Sequence, residues 1–534
     1  MATSPQRAYR AACPNCGAPV EFASAASASA VCSFCRSTLV RDGEALRRIG
    51  TSAELFDDHS PLQLGAAGTY KGMAFTLVGR LQLGYPEGTW NEWHALFDSG
   101  RSGWLSEDNG AYVFAFDASL PTEAPAAESL RVGEARSLDG RGWTVASVVR
   151  AHLIAAQGEL PSPPRLEGDF VIADLRSTQD EVGTLDYGDP GQPHWSTGRA
   201  VLLADLKMSG LREDSEKTLG GRSFECPSCG NALDVQLATT QSVACAQCKA
   251  VVDVSKGVGA DLAYHAQNNA GAGGLMPQIP LGATGRLVMG EAQAAPWQVV
   301  GYLERCDLPE PGDDEEQTFW REYLLYNREL GFAFLVDAED GWSWVRPLTG
   351  TPQVRGDQAT WRGITYKKRY SYRAKVTWVL GEFYWRVQRD EEARVTDYDG
   401  TGSASKKRLS YEKTPTEVTW SAGEALDAVV VAKAFELPDA ALAAMRRDEA
   451  PLSSFTPAKS SASLAKVVII LLLFFALMVI LSTCSGGGGC DDVRQNFGEA
   501  SAEYQQCVRN RSSGGSSGSR GGSWGGYSSG GGHK

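Results

Sequence analysis

At 534 residues the chain is too long for one hydrophobic core; with about 100–200 residues per domain, about three to five modules are expected. Hydrophobic residues at 43% and aromatics at 9% exclude a disordered polymer. A formal charge of −13 argues against nucleic acid as the main partner, because that affinity rests on Lys and Arg neutralising phosphates.

Met1 to Arg10 hold no apolar run, so no secretory signal peptide is expected and the bulk of the chain should stay in the cytosol. Residues 1–12 read as a polar lead into the first of two cysteine frameworks. Cys13, Cys16, Cys32 and Cys35 read C-x2-C-x15-C-x2-C, and Cys226, Cys229, Cys245 and Cys248 repeat that spacing 213 positions later. Paired C-x2-C knuckles about 15–20 residues apart can present four thiolates to one tetrahedral ion, which is the spacing of a structural zinc site. Pro14 and Pro227 preset the first knuckle of each set, and Gly17 and Gly230 accept the positive φ needed as the chain wraps the ion. Two zinc ribbons are expected, over 1–41 and 222–256, each with one structural zinc ion. Four thiolates leave no open coordination position for catalysis. Rubredoxin-like iron, and disulfide or redox switching, are the competing readings.

Residues 42–60 read as a linker. From Pro61 onward, the short apolar runs Phe75 to Val78, Trp90 to Phe97, Gly103 to Leu105 and Ala111 to Phe116 are broken by Asp98-Ser99-Gly100 and Glu107-Asp108-Asn109-Gly110, which predicts an antiparallel meander. Leu64-Gly65-Ala66-Ala67-Gly68, Val78-Gly79-Arg80, Trp90-Asn91-Glu92-Trp93 and Gly103-Trp104-Leu105 are followed later by Gly158-Glu159-Leu160-Pro161 and Trp195-Ser196-Thr197-Gly198. This series resembles the bacterial domain-of-unknown-function 4178 family over about residues 62–205. The resemblance implies a bacterial source and a setting among envelope-stress and polyamine-related proteins. It carries over no activity.

After the second ribbon and a Gly/Ala-rich linker, 257–277, the same order returns. Leu281-Gly282-Ala283-Thr284-Gly285, Val299-Val300-Gly301, Trp320-Arg321-Glu322-Tyr323, Gly381-Glu382-Phe383 and Trp420-Ser421-Ala422-Gly423 answer the first series one by one. Two copies of one β domain are expected, over 61–208 and 278–437. The second adds an acidic stretch, Glu310 to Glu316, which reads as a solvated loop. It also adds Tyr366 to Val376, where alternation puts Lys367, Arg369, Arg373 and Lys375 on one strand face and Tyr366, Tyr370, Tyr372, Ala374 and Val376 on the other. That basic face is either neutralised by nearby carboxylates or open to anionic lipid headgroups.

Residues 438–464 read as a short Ala-rich helix and a Ser-rich linker, ahead of an apolar run at 465–484 long enough for about 30 Å of hydrocarbon. Arg446, Arg447, Lys459 and Lys466 precede it and Arg494 alone follows closely, so the β domains are expected inside and the Gly/Ser-rich tail 485–534 outside. There Cys490 and Cys507 could close a disulfide loop in an oxidising compartment.

An active site present in both copies should leave matched polar residues. The six histidines show no repeated placement, and no Ser-His-Asp order, phosphate loop or His-Glu-x-x-His stands out. Glu92 pairs with Glu322 and Glu159 with Glu382. Trp90, Trp93, Trp104 and Trp320 read as core. The expected fold is mainly β: tandem zinc ribbons, small β barrel- or sandwich-like domains and one C-terminal transmembrane helix. The favoured function is a cytosol-facing adaptor on the inner membrane, spanning it once and binding protein partners. No catalytic residue is assigned. The alternative is an enzyme or small-molecule-binding protein with Glu92, Glu159, Glu322 or Glu382 as acid or base. A nucleic-acid module, with Arg36, Arg41, Arg47 and Arg48 as its only basic cluster, comes third.

Overall fold

The computed structural model describes residues 9–445 apart from short stretches, the longest of which are 53–59, 213–221, 255–261, 268–275 and 309–316. Its described part is mainly β. In the first copy eight antiparallel strands, β1 (Met73–Tyr85), β2 (Gly88–Phe97), β3 (Ser102–Asp108), β4 (Ala111–Asp117), β5 (Arg141–Leu160), β6 (Phe170–Ser177), β7 (Glu181–Asp186) and β8 (His194–Val201), run in the order β5-β6-β7-β8-β4-β3-β2-β1. Because β1 pairs back onto β5, the sheet closes into a barrel.

The second copy repeats this with β9 (Ala295–Leu308), β10 (Phe319–Asn327), β11 (Gly331–Ala338), β12 (Gly341–Pro347), β13 (Ile364–Phe383), β14 (Glu392–Gly400), β15 (Lys407–Lys413) and β16 (Val418–Leu426). Their order is β13-β14-β15-β16-β12-β11-β10-β9, closed by β9 on β13. Closure needs two strands to cross almost in contact, and glycine permits it. A Cβ on Gly79 or Gly301 would collide with the carbonyl oxygen of Glu159 or Glu382, and one on Gly158 or Gly381, both at positive φ, with that of Val78 or Val300.

An eight-stranded barrel is just wide enough for side chains to fill it. Following the paired residues round barrel 2, β9 to β14 send inward members of one buried cluster, among them Leu303, Trp320, Phe334, Val345, Val376 and Val395. The outer wall is covered too. Helix α1 (Ala428–Ala434), capped by Asp427 Oδ1 accepting from Val429 N–H at 2.8 Å, and helix α2 (Asp439–Met445) lay Val431, Phe435 and Met445 against Tyr323 and Trp342. Residues 428–434, read from the sequence as the end of a β domain, are therefore helical.

Each barrel extends its sheet into the second cysteine hairpin. Ser29–Val31 pairs with Gly158–Leu160 of β5, then with Ser37–Asp42, which pairs with Ala45–Thr51. The stretch read as a linker thus contains a strand, because Leu39 and Leu46 bury against the knuckles rather than facing water. In the second copy Ser242 and Val243 pair with Phe383 and Glu382 of β13. The barrels also touch each other: Val148 N–H donates to Thr416 O at 3.3 Å, Thr351 N–H to Ser177 O at 3.1 Å, and Arg386 Nη1 to Pro86 O at 2.7 Å.

Among the described residues no helix is long and apolar enough to cross a membrane. The apolar run 465–484, the tail 485–534, the Cys490 and Cys507 pair and the acidic stretch 310–316 lie outside the described residues.

Candidate metal centres and barrel interiors

All four knuckles fold alike. The first cysteine of each accepts, through its carbonyl, the N–H of the residue four positions on: Gly17 to Cys13 at 2.8 Å, Arg36 to Cys32 at 2.9 Å, Gly230 to Cys226 at 2.8 Å and Lys249 to Cys245 at 3.0 Å. That fifth residue has positive φ in all four, including the non-glycines Arg36 (57°) and Lys249 (62°). The turns bring each set of sulfurs within 4.8 Å of one another. Sγ–Sγ separations are 3.6 Å for Cys13–Cys35, 3.7 Å for Cys16–Cys32, 3.7 Å for Cys226–Cys248 and 3.8 Å for Cys229–Cys245. Bonds of about 2.3 Å from a central ion to four tetrahedral sulfurs give an edge of about 3.8 Å. Both donor sets therefore fit a metal ion, and the spacing is far too long for a disulfide. Hydrogen bonds from Ser37 and then Asn15 lower the Cys35 thiol to about 5.

Glu382 holds the second cysteine hairpin to its barrel. Its Oε1 accepts from Gln236 N–H at 2.9 Å, and its Oε2 from Leu237 N–H at 2.9 Å and Thr240 Oγ at 2.7 Å. Glu159 stands at the same register beside the first hairpin, opposite Ala30 as Glu382 is opposite Val243. Both glutamates follow the crossing glycines, and Glu382 serves the joint between hairpin and wall.

Glu92 and Glu322 lie inside the barrels, each bonded to a tryptophan two residues earlier. Trp90 Nε1–H donates to Glu92 Oε1 at 3.1 Å and Trp320 Nε1–H to Glu322 Oε1 at 2.7 Å. Glu92 also accepts from Ser106 Oγ at 2.7 Å. Glu322 shares Arg305 with Glu412, at 3.3 and 3.0 Å, all three buried. Burial pushes Glu322 up and pushes Glu412 up to about 7, with Arg305 pulling the other way in both.

A second duplicated pair went unrecognised in the sequence: Thr184 Oγ donates to Asp174 Oδ1 at 2.8 Å and Ser410 Oγ to Asp397 Oδ1 at 2.7 Å, both inside the barrels. The connections after these aspartates differ in length, with Thr184 10 positions after Asp174 and Ser410 13 after Asp397, which hides the correspondence. The four duplicated glutamates are not gathered in one cleft: Glu92 and Glu322 sit in separate barrels, and Glu382 is occupied at a hairpin. His94 is buried and bonded at both nitrogens, to Glu159 O and Ser102 Oγ, each at 2.9 Å. Trp90 and Trp320 fill barrel interiors, and Trp93 the outer layer of barrel 1. Trp104 packs beside His94 with ring centroids 5.4 Å apart.

The alternation read in Tyr366 to Val376 breaks at a bulge between Lys368 and Tyr370. Arg369 meets Asp340 and Asp399, Arg373 meets Glu392 at 2.9 Å, and Lys375 meets Asp390 at 3.5 Å. Lys367 remains exposed. Arg36 lies in a knuckle, Arg41 on Ser37–Asp42, and Arg47 and Arg48 are successive residues of a strand, which alternate in direction. A cavity of about 280 Å³ lies between the barrels, with Arg176, Tyr384 and Glu417 in its wall.

The family model described as Domain of unknown function (DUF4178) matches residues 63–203 and again 288–428, together more than half of the chain. The chain belongs to this family. Each match covers most of one barrel, and a four-cysteine group precedes each. No curated protein and no solved structure matches the chain.

Proposed function

We propose that the chain is a membrane-tethered adaptor whose two DUF4178 barrels are clamped by structural zinc and offer their outer surfaces to protein partners in the cytosol. The observation that carries this reading is where the duplicated carboxylates are used. Glu92 and Glu322 serve tryptophan N–H groups inside filled barrels, and Glu382 secures a cysteine hairpin, so the residues an acid-base enzyme would need are engaged in holding the fold. Zinc is the reading of the metal because four thiolates at this spacing in a reducing compartment suit it. The tether is the apolar run 465–484, with flanking charge favouring barrels inside and the tail outside. An enzyme remains the rival reading, with the cavity between the barrels as its only support here.

Elemental mass spectrometry on the full chain should count two zinc ions, with Cys13→Ser and Cys226→Ser each removing one. Iron, or cysteines paired as disulfides, would overturn the zinc assignment. Protease added to intact cells should trim only the Gly/Ser-rich end; digestion of the barrels would reverse the orientation.

A further inference from the structure

The joint between the barrels is heterologous: one barrel offers one face and its neighbour a different one. On barrel 1 the acceptor is the bulge of β5 between Val145 and Ser147, braced by Val145 N–H donating to Glu134 O at 3.0 Å, beside the turn at Gly133 (φ +83). The turn joining β15 to β16 fills it. Thr416 O takes Val148 N–H, Glu417 bridges to Ser147, and Tyr411 and Val418 stand over Gly133.

Barrel 2 carries the same acceptor on β13. The register that matches Gly158 with Gly381 carries Val145 to Lys368 and Gly133 to Gly356. There Lys368 N–H donates to Asp357 O at 2.7 Å, the bulge falls between Lys368 and Tyr370, and Gly356 again has positive φ (+58). This copy of the acceptor is open. Nothing lies within 4 Å of a Cβ placed at Gly356, and Arg355, Lys367, Lys368 and Ser371 are exposed where Val132, Thr144, Val145 and Val148 are buried or half-buried. This edge has also become basic, with Lys367 and Lys368 on opposite faces of the strand and Arg355 beside them.

The turn of barrel 1 that corresponds to the donor follows β7 and carries Asp186 and Asp189. Arg165 reaches both, at 3.1 and 3.9 Å, which leaves these three residues one net negative charge, and the Asp189 side chain is 77% exposed. Tyr187 Oη donates to Pro125 O at 2.8 Å, so the flank of this turn is covered within its own barrel; Asp186 accepts from Arg165 and Gly188 N–H, and Asp189 faces outward.

We propose that the open acceptor on barrel 2 receives the Asp186 to Asp189 turn of a second copy of this chain, repeating between molecules the joint made within one. Two observations carry it: the acceptor backbone already holds a turn of this kind in barrel 1, and the charges of the open pair are opposite. A head-to-tail contact leaves a turn at one end and an acceptor at the other, so the product grows as a row of chains unless its rotation closes it into a ring.

The test uses the full chain in mild detergent, with its mass followed by sedimentation up to about 100 μM. The wild type should associate with rising concentration and less so at high salt. Lys367→Glu with Lys368→Glu, or Asp189→Lys, should each weaken association about tenfold or more while leaving metal content and melting temperature unchanged. An equal mixture of the two variants should restore it, since the acidic acceptor of one then meets the basic turn of the other. A wild type that stays monomeric, an association blind to both changes, or a mixture that fails to recover overturns the proposal. If the chain is monomeric yet sediments with phosphatidylglycerol vesicles only while Lys367 and Lys368 are intact, the face belongs to lipid and the proposal falls.

Discussion

In barrel 1 Glu92 takes hydrogen bonds from Trp90 and Ser106, and Leu83 stands opposite Trp90; in barrel 2 Glu322 and Glu412 divide a buried guanidinium, with Arg305 where barrel 1 has Leu83. The wall is the same and the filling differs. The comparison teaches that eight strands closed by crossing glycines accept an inward glutamate held either by neutral donors or by a guanidinium, provided that each inward carboxylate finds a donor. Removing the donor is therefore far worse than never having had it.

The largest effect should follow from breaking that rule. Arg305→Met leaves two carboxylates facing each other in the barrel and should cost about 3–5 kcal/mol of unfolding free energy in urea titrations, whereas Leu83→Met, a change of similar size in barrel 1, should cost under about 1.5 kcal/mol. Equal losses would show that Arg305 acts only by its volume.

Next comes the clamp. Glu382→Ala strips the acceptor from two backbone N–H groups and a threonine hydroxyl, and should cost about 1–3 kcal/mol. Hydrogen exchange should quicken at Gln236 and Leu237 while both metal ions stay bound; unchanged exchange there would remove the clamp from the argument.

The smallest effect sharpens the contrast through pH. Burial lifts Glu412 to about 7 against an unfolded value near 4.5, so over that interval the folded chain holds a proton that the unfolded chain has released. Stability should then fall as pH rises from 5.5 to 7.5, by about 1 kcal/mol per unit below the folded value. Glu412→Gln should flatten the slope; a slope that survives the change belongs to other groups.

Much of this was legible in the sequence, for local reasons. The cysteine spacing specifies four turns, two of them marked by Gly17 and Gly230, without reference to the rest of the chain. The turn Asp98 to Gly100 falls between β2 and β3 because a short polar run interrupts apolar ones, whereas Glu107 and Asp108, read as turn, prolong β3 and pair with Tyr112 and Ala111. Barrel closure was not legible, since it depends on Gly79 meeting Gly158 across 79 positions. The interior ion triad was hidden for the same reason: Arg305 and Glu412 are 107 residues apart. At Tyr366 to Val376 the period-two reading failed because one extra residue at the bulge shifts every later side chain relative to its partner strand.

The cysteine hairpins are not appendages, because Ser29–Val31 and Ser242–Ala244 hydrogen-bond directly to the strands that close the barrels. With a metal ion in these cysteine sets, as proposed, its concentration becomes a variable in the folding equilibrium of each whole barrel. A chelator should lower the melting point of residues far from any sulfur, in proportion to the logarithm of the free ion once the sites are well filled.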